Sequence, residues 1–212
     1  TAPQVHRAQP SVVSITQATE LGTVYTIDEI LAISEVCKQN NLPLHMDGAR
    51  LANAVVALGT TVADCTWRAG VDILSLGATK NGAFAAEAVV FFDANKVADF
   101  EFRRKRGGHL FSKYRFLSSQ LVPYLESNYW LELAKNSNHR AKELARGLKK
   151  IQSVTLSAEV ETNMIFLQMP TSFVDFLKQE NCLFYSWGEK EGMTSCLLYT
   201  SPSPRDVEAS PR

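Results

Sequence analysis

The alternation of strand-like and helix-like periods constrains this chain more than any other feature. Val12-Val13-Ser14-Ile15-Thr16 is a short β-branched run of the kind that forms a buried strand. Residues 17–22 leave it as a loop. Thr26-Ile27-Asp28-Glu29 then has the form of a capping box, with Thr26 as N-cap and Glu29 at the third helical position. Ile27, Ile30, Leu31, Ile33 and Val36 continue at helical spacing up to a break at Asn40-Asn41. Leu44-His45-Met46 reads as the next strand, ending at Asp47-Gly48. Helices are predicted over 50–58 and around 63–69, with further strands over 71–76 and 87–92. Strands alternating with helices call for βαβ units, hence an α/β fold with a mostly parallel sheet covered by helices. Ligands of such open sheets bind outside the carboxyl ends of the strands. Asp47 ends one strand and Lys80 closely follows the next, so both are predicted on the same rim.

From about residue 95 to 150 the pattern turns helical and basic. The segment RRKRGGHLFSKYR carries Arg103, Arg104, Lys105, Arg106, Lys113 and Arg115 around Gly107-Gly108. A Gly107-Gly108 turn that opened a helix could also present backbone N–H groups to a phosphate. A long helix ending in AKELARGLKK leads to a strand at 164–167 and a short helix over 172–178. The expected organisation is a partial large domain over 1–125, then a connecting helix and partial small α/β domain over 126–187. Residues 188–212, with their prolines and serines, read as a disordered, non-native tail.

Composition narrows the partners. Lys plus Arg and Asp plus Glu are both 22, giving no net charge to draw the chain to nucleic acid or to an anionic membrane. No apolar run approaches the roughly 18–20 residues needed to span a bilayer. The four cysteines lack metal-type spacing and read as free thiols in a reducing, cytoplasmic setting.

Two segments carry chemistry. HMDGARLANA, residues 45–54, places a carboxylate at a strand end with Arg50 close behind; a salt bridge or helix cap would use the same residues. SLGATKNGAFAAEAVVF, residues 75–91, sets Lys80 in a small-residue loop between apolar strands. A desolvated lysine can act as an amine nucleophile on a carbonyl, and a solvated loop lysine is the alternative. Neither GxxxxGK[ST] nor GxGxxG is present, so nucleotide loops have no support.

Taken together, the strand-end Asp in HMDGAR and the Lys in LGATKNG resemble fold-type I pyridoxal-phosphate enzymes. The blocks PLHMDGARLANAVVALG, DILSLGATKNGAFAAEAVVFF, RRKRGGHLFSKYRFLSSQL and VETNMIFL, with the loop ITQATELGTVYT, are similar to L-threonine aldolases of the bacterial low-specificity group. The resemblance runs from about Val12 to Trp187. It implies pyridoxal 5'-phosphate as cofactor and retro-aldol cleavage of a small-molecule β-hydroxy-α-amino acid, such as L-threonine or L-allo-threonine, to glycine and an aldehyde. Lys80 matches the lysine that carries the cofactor, and Asp47 the carboxylate paired with its pyridine nitrogen. Arg50 matches the arginine beside the phenolic oxygen and substrate carboxylate. Lys113 or Arg115 matches a phosphate contact to a neighbouring subunit, in a homo-oligomer that is a dimer or tetramer.

The departures are equally specific. No residue matches the family's N-terminal phosphate loop, its ring-stacking residue, or the arginine expected after SWG; Arg205 lies in the tail and is no substitute. None of His6, His45, His109 and His139 matches the family's candidate base, and His45 reads as a hydrogen-bonded core histidine. The chain is therefore expected to be a fragment, inactive by itself. Another fold-type I enzyme (a β-eliminating lyase or an aminotransferase) and a non-catalytic remnant remain as alternatives.

Overall fold

The computed structural model describes residues 8–201. Three parallel strands, β1 (Val13–Thr16), β2 (Leu44–Gly48) and β3 (Ile73–Gly77), stand side by side, and β4 (Glu87–Phe91) closes the far edge antiparallel to β3. Ile15, Met46 and Leu74 are buried and occupy one register row across the parallel strands. Between β1 and β2 runs α1 (Ile27–Gln39), and its start is the capping box expected from the sequence. The Glu29 N–H donates to Thr26 Oγ1, and the Thr26 N–H donates back to Glu29 Oε2 at 2.8 Å. Such a cap contributes about 1 kcal/mol. Between β2 and β3 lie α2 (Leu51–Leu58), α3 (Val62–Cys65) and a 3-10 turn at Trp67–Ala69. Between β3 and β4 there is only a 3-10 turn, Thr79–Asn81, and a short loop. A connection that short cannot make a crossover, which is why β4 runs antiparallel.

The region after β4 is helical: α4 (Phe100–Arg106), α5 (Arg115–Ser118), α6 (Leu121–Glu126) and α7 (Tyr129–Leu148). Contrary to the sequence reading, Gly107-Gly108 does not open a helix but closes one. Gly107 caps the carboxyl end of α4, and Gly108 takes a φ of 78° that breaks the helical path. The four basic residues of α4 are all exposed, a solvated helix face.

A second sheet follows α7, built from β5 (Thr155–Leu156), β6 (Met164–Pro170), β7 (Tyr185–Lys190) and β8 (Met193–Tyr199), with α8 (Thr171–Gln179) between β6 and β7. The order is β5-β6-β8-β7, all antiparallel. The disordered tail expected from residue 188 onward is thus corrected as far as Tyr199. Glu191 and Gly192 both take positive φ, 55° and 75°, and turn the chain between the paired residues Lys190 and Met193. β8 then lies between β6 and β7 and buries Thr194 and Cys196. Small polar side chains carry little apolar period, so the strand is visible only through its ladder. The last residues of the expected tail, 202–212, lie outside the described residues.

The helix α7 joins two cores. Trp130 and Ala134 pack with Ile15, Met46 and Leu74, whereas Ala141, Ala145 and Leu148 pack with Ile165, Leu167, Met169 and Cys196. Among the described residues, no helix is long and apolar enough to cross a membrane.

The carboxyl ends of β2 and β3 are close enough to exclude side chains. A Cβ on Gly77 would lie 2.7 Å from Ala49 Cα and 3.0 Å from the Ala49 carbonyl oxygen, both backbone atoms. Gly77→Ala is expected to destabilise the fold by about 1–3 kcal/mol. The check is a lowered urea midpoint at unchanged slope; an unchanged midpoint would mean that the strand ends part freely.

Candidate active site

Asp47 is brought to the rim by strand register. It pairs with Thr16 of β1 on one side and Ser75 of β3 on the other, near the carboxyl end of all three strands. Its Oδ1 accepts the Ala49 N–H at 2.9 Å, which orients the carboxylate at the strand end, and Oδ2 has no hydrogen-bond partner among the described residues. The residue is half-buried. A partly desolvated carboxylate with one free oxygen is suited to hold a protonated ring nitrogen.

Lys80 sits in the middle of the Thr79–Asn81 turn, just past Gly77. Its side chain is exposed, and among the described residues its Nζ has no hydrogen-bond or ion-pair partner. The turn beneath it is firmly held. Thr79 Oγ1 accepts the Ala86 N–H at 3.2 Å, and the Asn81 and Ala83 N–H groups both donate to the Ala78 carbonyl. Asn81 is buried; its Nδ2 donates to Tyr124 Oη at 2.7 Å and to the Trp130 carbonyl at 2.8 Å. Its Oδ1 is left without a partner, a loss of roughly 1–3 kcal/mol for a buried acceptor. Sequence reasoning passed over Asn81, because an asparagine beside a glycine reads as an ordinary loop residue.

Arg50 is the N-cap residue of α2 and is half-buried. Its Nη1 donates to Asn163 Oδ1 at 3.4 Å, and its guanidinium lies 5.9 Å from the centre of the Tyr199 ring. Burial pulls its pKa down, offset by Tyr199 and Glu20, and arginine starts high enough to stay cationic. Asn163 belongs to the VETNMIFL block and meets Arg50 only because β6 of the second sheet approaches α2.

The other candidates fare differently. Lys113 has a φ of 66° just before α5, and Arg115 opens that helix with its guanidinium 5.1 Å from the Phe116 ring centre. Both are exposed, and no hydrogen bond or ion pair joins either to Asp47, Arg50 or Lys80 among the described residues. The segment is nevertheless tied to the lysine loop, since the Phe84 N–H donates to Gln120 Oε1 at 2.7 Å. His45 is hydrogen-bonded on both ring nitrogens, to Ser14 Oγ at 2.8 Å and Ser75 Oγ at 2.9 Å, and so stitches β1, β2 and β3 together. Among the described residues no group of His, Cys, Asp and Glu could hold a metal ion.

The exposed Lys80 amine, the Asp47 carboxylate oriented by the Ala49 N–H and the half-buried Arg50 guanidinium thus all lie at or just after the carboxyl ends of strands in an α/β fold. Residues 1–171 match the sequence pattern of the beta-eliminating lyases, and the chain belongs to that family. It is similar to the low specificity L-threonine aldolase of Pseudomonas sp., 46% identical over 183 residues, or 86% of this chain and 53% of the relative. The Pseudomonas aeruginosa protein of the same name is 43% identical over the same length. In three dimensions the chain superposes on Leishmania major threonine aldolase with a TM-score of 0.86 at 28% identity, covering 94% of this chain and 58% of that one. The fold expected from the sequence is therefore the fold observed. The chain spans about half the length of the curated relatives it matches.

Burial pushes the Tyr124 hydroxyl up to about 12, despite the Asn81 hydrogen bond that opposes it. A tyrosine whose pKa rises on folding supports the folded state while neutral. That support is complete below its ordinary pKa of 10.0 and fades as pH climbs through about 12. Unfolding curves from pH 9 to about 12 should show the wild type losing stability relative to Tyr124→Phe above pH 10. Parallel curves would mean that Tyr124 is not buried against Asn81.

Proposed function

We propose that the protein carrying this chain cleaves L-threonine, L-allo-threonine and related β-hydroxy-α-amino acids to glycine and an aldehyde, with pyridoxal 5'-phosphate as cofactor. The observation that carries the reading is the unpaired Lys80 amine just past β3, on the rim where β2 presents Asp47. The donor set fits the cofactor: an amine for its aldehyde carbon, a carboxylate for its ring nitrogen and a guanidinium for its oxygen. The names of the Pseudomonas and Leishmania relatives support the same activity.

When bound, the cofactor supplies an electron-poor pyridine ring that takes up the electron pair of the broken Cα–Cβ bond. Lys80 would hold the cofactor through its amine, the group that has no partner among the described residues. Asp47 would keep a proton on the ring nitrogen, which is what makes the ring an electron acceptor. Arg50 would reach the phenolic oxygen and the substrate carboxylate, and its guanidinium fork matches the two oxygens of the latter. Cleavage would pass the β-hydroxyl proton to a basic group or water as the Cα–Cβ bond opens to the aldehyde, and one proton returned to Cα would complete glycine, so no further reactant is consumed. His45 is a poor base for that hydroxyl, because both its nitrogens are engaged within the sheet.

Homo-oligomer formation, with Lys113 or Arg115 reaching the neighbouring subunit's cofactor phosphate, belongs to the same proposal. Phe84, Phe102, Phe116 and Val122 are exposed at the lysine loop and along α4, α5 and α6, and α4 and α5 bury no residue. Apolar surface on that scale calls for cover. The cytoplasm suits cysteines 37, 65, 182 and 196, all free. A second reading, β-elimination, is favoured by the name of the matched family. It would release ammonia and a keto acid in place of glycine and an aldehyde.

In the intact protein, Lys80→Ala is expected to abolish threonine cleavage and covalent cofactor retention together. Asp47→Ala should lower kcat by about 100-fold or more with the cofactor still held. The assay is glycine and aldehyde formation by product analysis, with borohydride trapping of the cofactor. Cleavage and cofactor retention surviving in Lys80→Ala would remove the lysine from its role.

A further inference from the structure

We propose that Asn81 is the positioning residue for Lys80, holding the lysine's turn against α6 and α7 so that the amine is presented in one orientation. The inference rests on the reading of Lys80 as the cofactor-bearing residue.

Among the described residues no hydrogen bond or ion pair restrains the Lys80 amine, so its placement depends on the backbone on either side. On the amino side, the β3 ladder ends at Gly77, which packs against the Ala49 backbone. On the carboxyl side, Asn81 donates one N–H to Tyr124 Oη in α6 and the other to the Trp130 carbonyl in α7. Gly82 follows with a φ of 106°, and a Cβ there would lie 2.8 Å from Leu133 Cδ1 of α7. The two residues after the lysine are therefore both docked on α7, Asn81 through the hydrogen bond to Trp130 and Gly82 through its lack of a side chain. The two elements that receive the amide also meet each other, the Tyr124 and Trp130 ring centres lying 6.0 Å apart.

A simple filling role explains this arrangement poorly. An apolar residue would fill the same space without burying an acceptor, and Asn81 Oδ1 has no partner. Amide donors aimed at two acceptors on separate elements fix position and direction at once. Because α7 continues into the second core through Ala141, Ala145 and Leu148, the anchor also links the lysine turn to the helix on which the second sheet packs.

The test uses Asn81→Ala and the milder Tyr124→Phe in the intact protein. Amide exchange is followed at residues 81 and 83, and trapping of pyridoxal phosphate by borohydride is mapped to individual lysines. Asn81→Ala is expected to speed exchange at both amides by about tenfold while the β2 amides are unchanged. The share of label on Lys80 should fall severalfold. The value of kcat should drop by about tenfold to a hundredfold, with KM for threonine within about twofold. Tyr124→Phe keeps the Trp130 bond and should show smaller changes of the same sign. If folded Asn81→Ala exchanges and labels as the wild type does, Asn81 is packing only and the proposal falls. If Asn81→Ala does not fold, Tyr124→Phe decides alone, and wild-type exchange and labelling in it overturn the proposal. Label on a lysine other than Lys80 in the wild type would instead sink the functional reading beneath it.

Discussion

The close approach of β2 and β3 at their carboxyl ends is the constraint on which the rest of the rim depends. Gly48 and Gly77 end the two strands, and neither has space for a Cβ: Leu74 Cδ1 would lie 2.7 Å from one, and Ala49 Cα 2.7 Å from the other. The chain leaving β2 therefore runs directly against the end of β3. That contact sets Asp47, one residue before Gly48, on the same rim as the turn carrying Lys80. His45 reinforces it from within the sheet, since its two ring nitrogens bond Ser14 and Ser75 on the flanking strands. A hydrogen bond between neutral groups contributes only about 1 kcal/mol. The value of the pair lies in register, because a slip of one residue would carry Asp47 to the other face.

A second level of order comes from α7. Its amino-terminal part belongs to the first core and its carboxyl-terminal part to the second. Between the two, Asn53 Nδ2 donates to Ser137 Oγ and Asn138 Oδ1, and Asn138 Nδ2 returns a bond to the Asn53 carbonyl at 2.9 Å. All three polar residues are buried, and their mutual hydrogen bonds fix how α2 and α7 align. The second sheet thereby reaches the rim, where Asn163 meets Arg50. Arg50 stands at the junction of both units: its backbone caps α2 and its guanidinium faces β6 and β8.

Much of this was legible in the chain itself, for reasons that differ from element to element. The strand at Val13–Thr16 is β-branched, and α1 announces its start through Thr26 and Glu29, so local chemistry alone places both. Asp47, Lys80 and Arg50 stand out because charged groups next to apolar strands need an explanation. The hairpin at 185–199 was lost because Glu191-Gly192 is not a common turn pair and Thr194, Ser195 and Cys196 look polar when read singly. Gly107-Gly108 marks a break in the sequence but not its sense, since a glycine pair interrupts a helix equally well at either end. Asn81 carries no signal at all in one dimension. Its meaning lies in two acceptors contributed by α6 and α7.

Periodicity and residue chemistry thus determined the order of strands and helices, and through it the rim on which a carboxylate and an amine had to lie. Those are local properties, decided by burial of one face and by caps within a few residues. What only the tertiary structure decided is which distant groups meet there: Asn163 with Arg50, Tyr124 and Trp130 with Asn81, and β8 between β6 and β7. Such contacts depend on how whole elements pack, and packing is set by shape and unpaired polar groups that no short window of sequence contains.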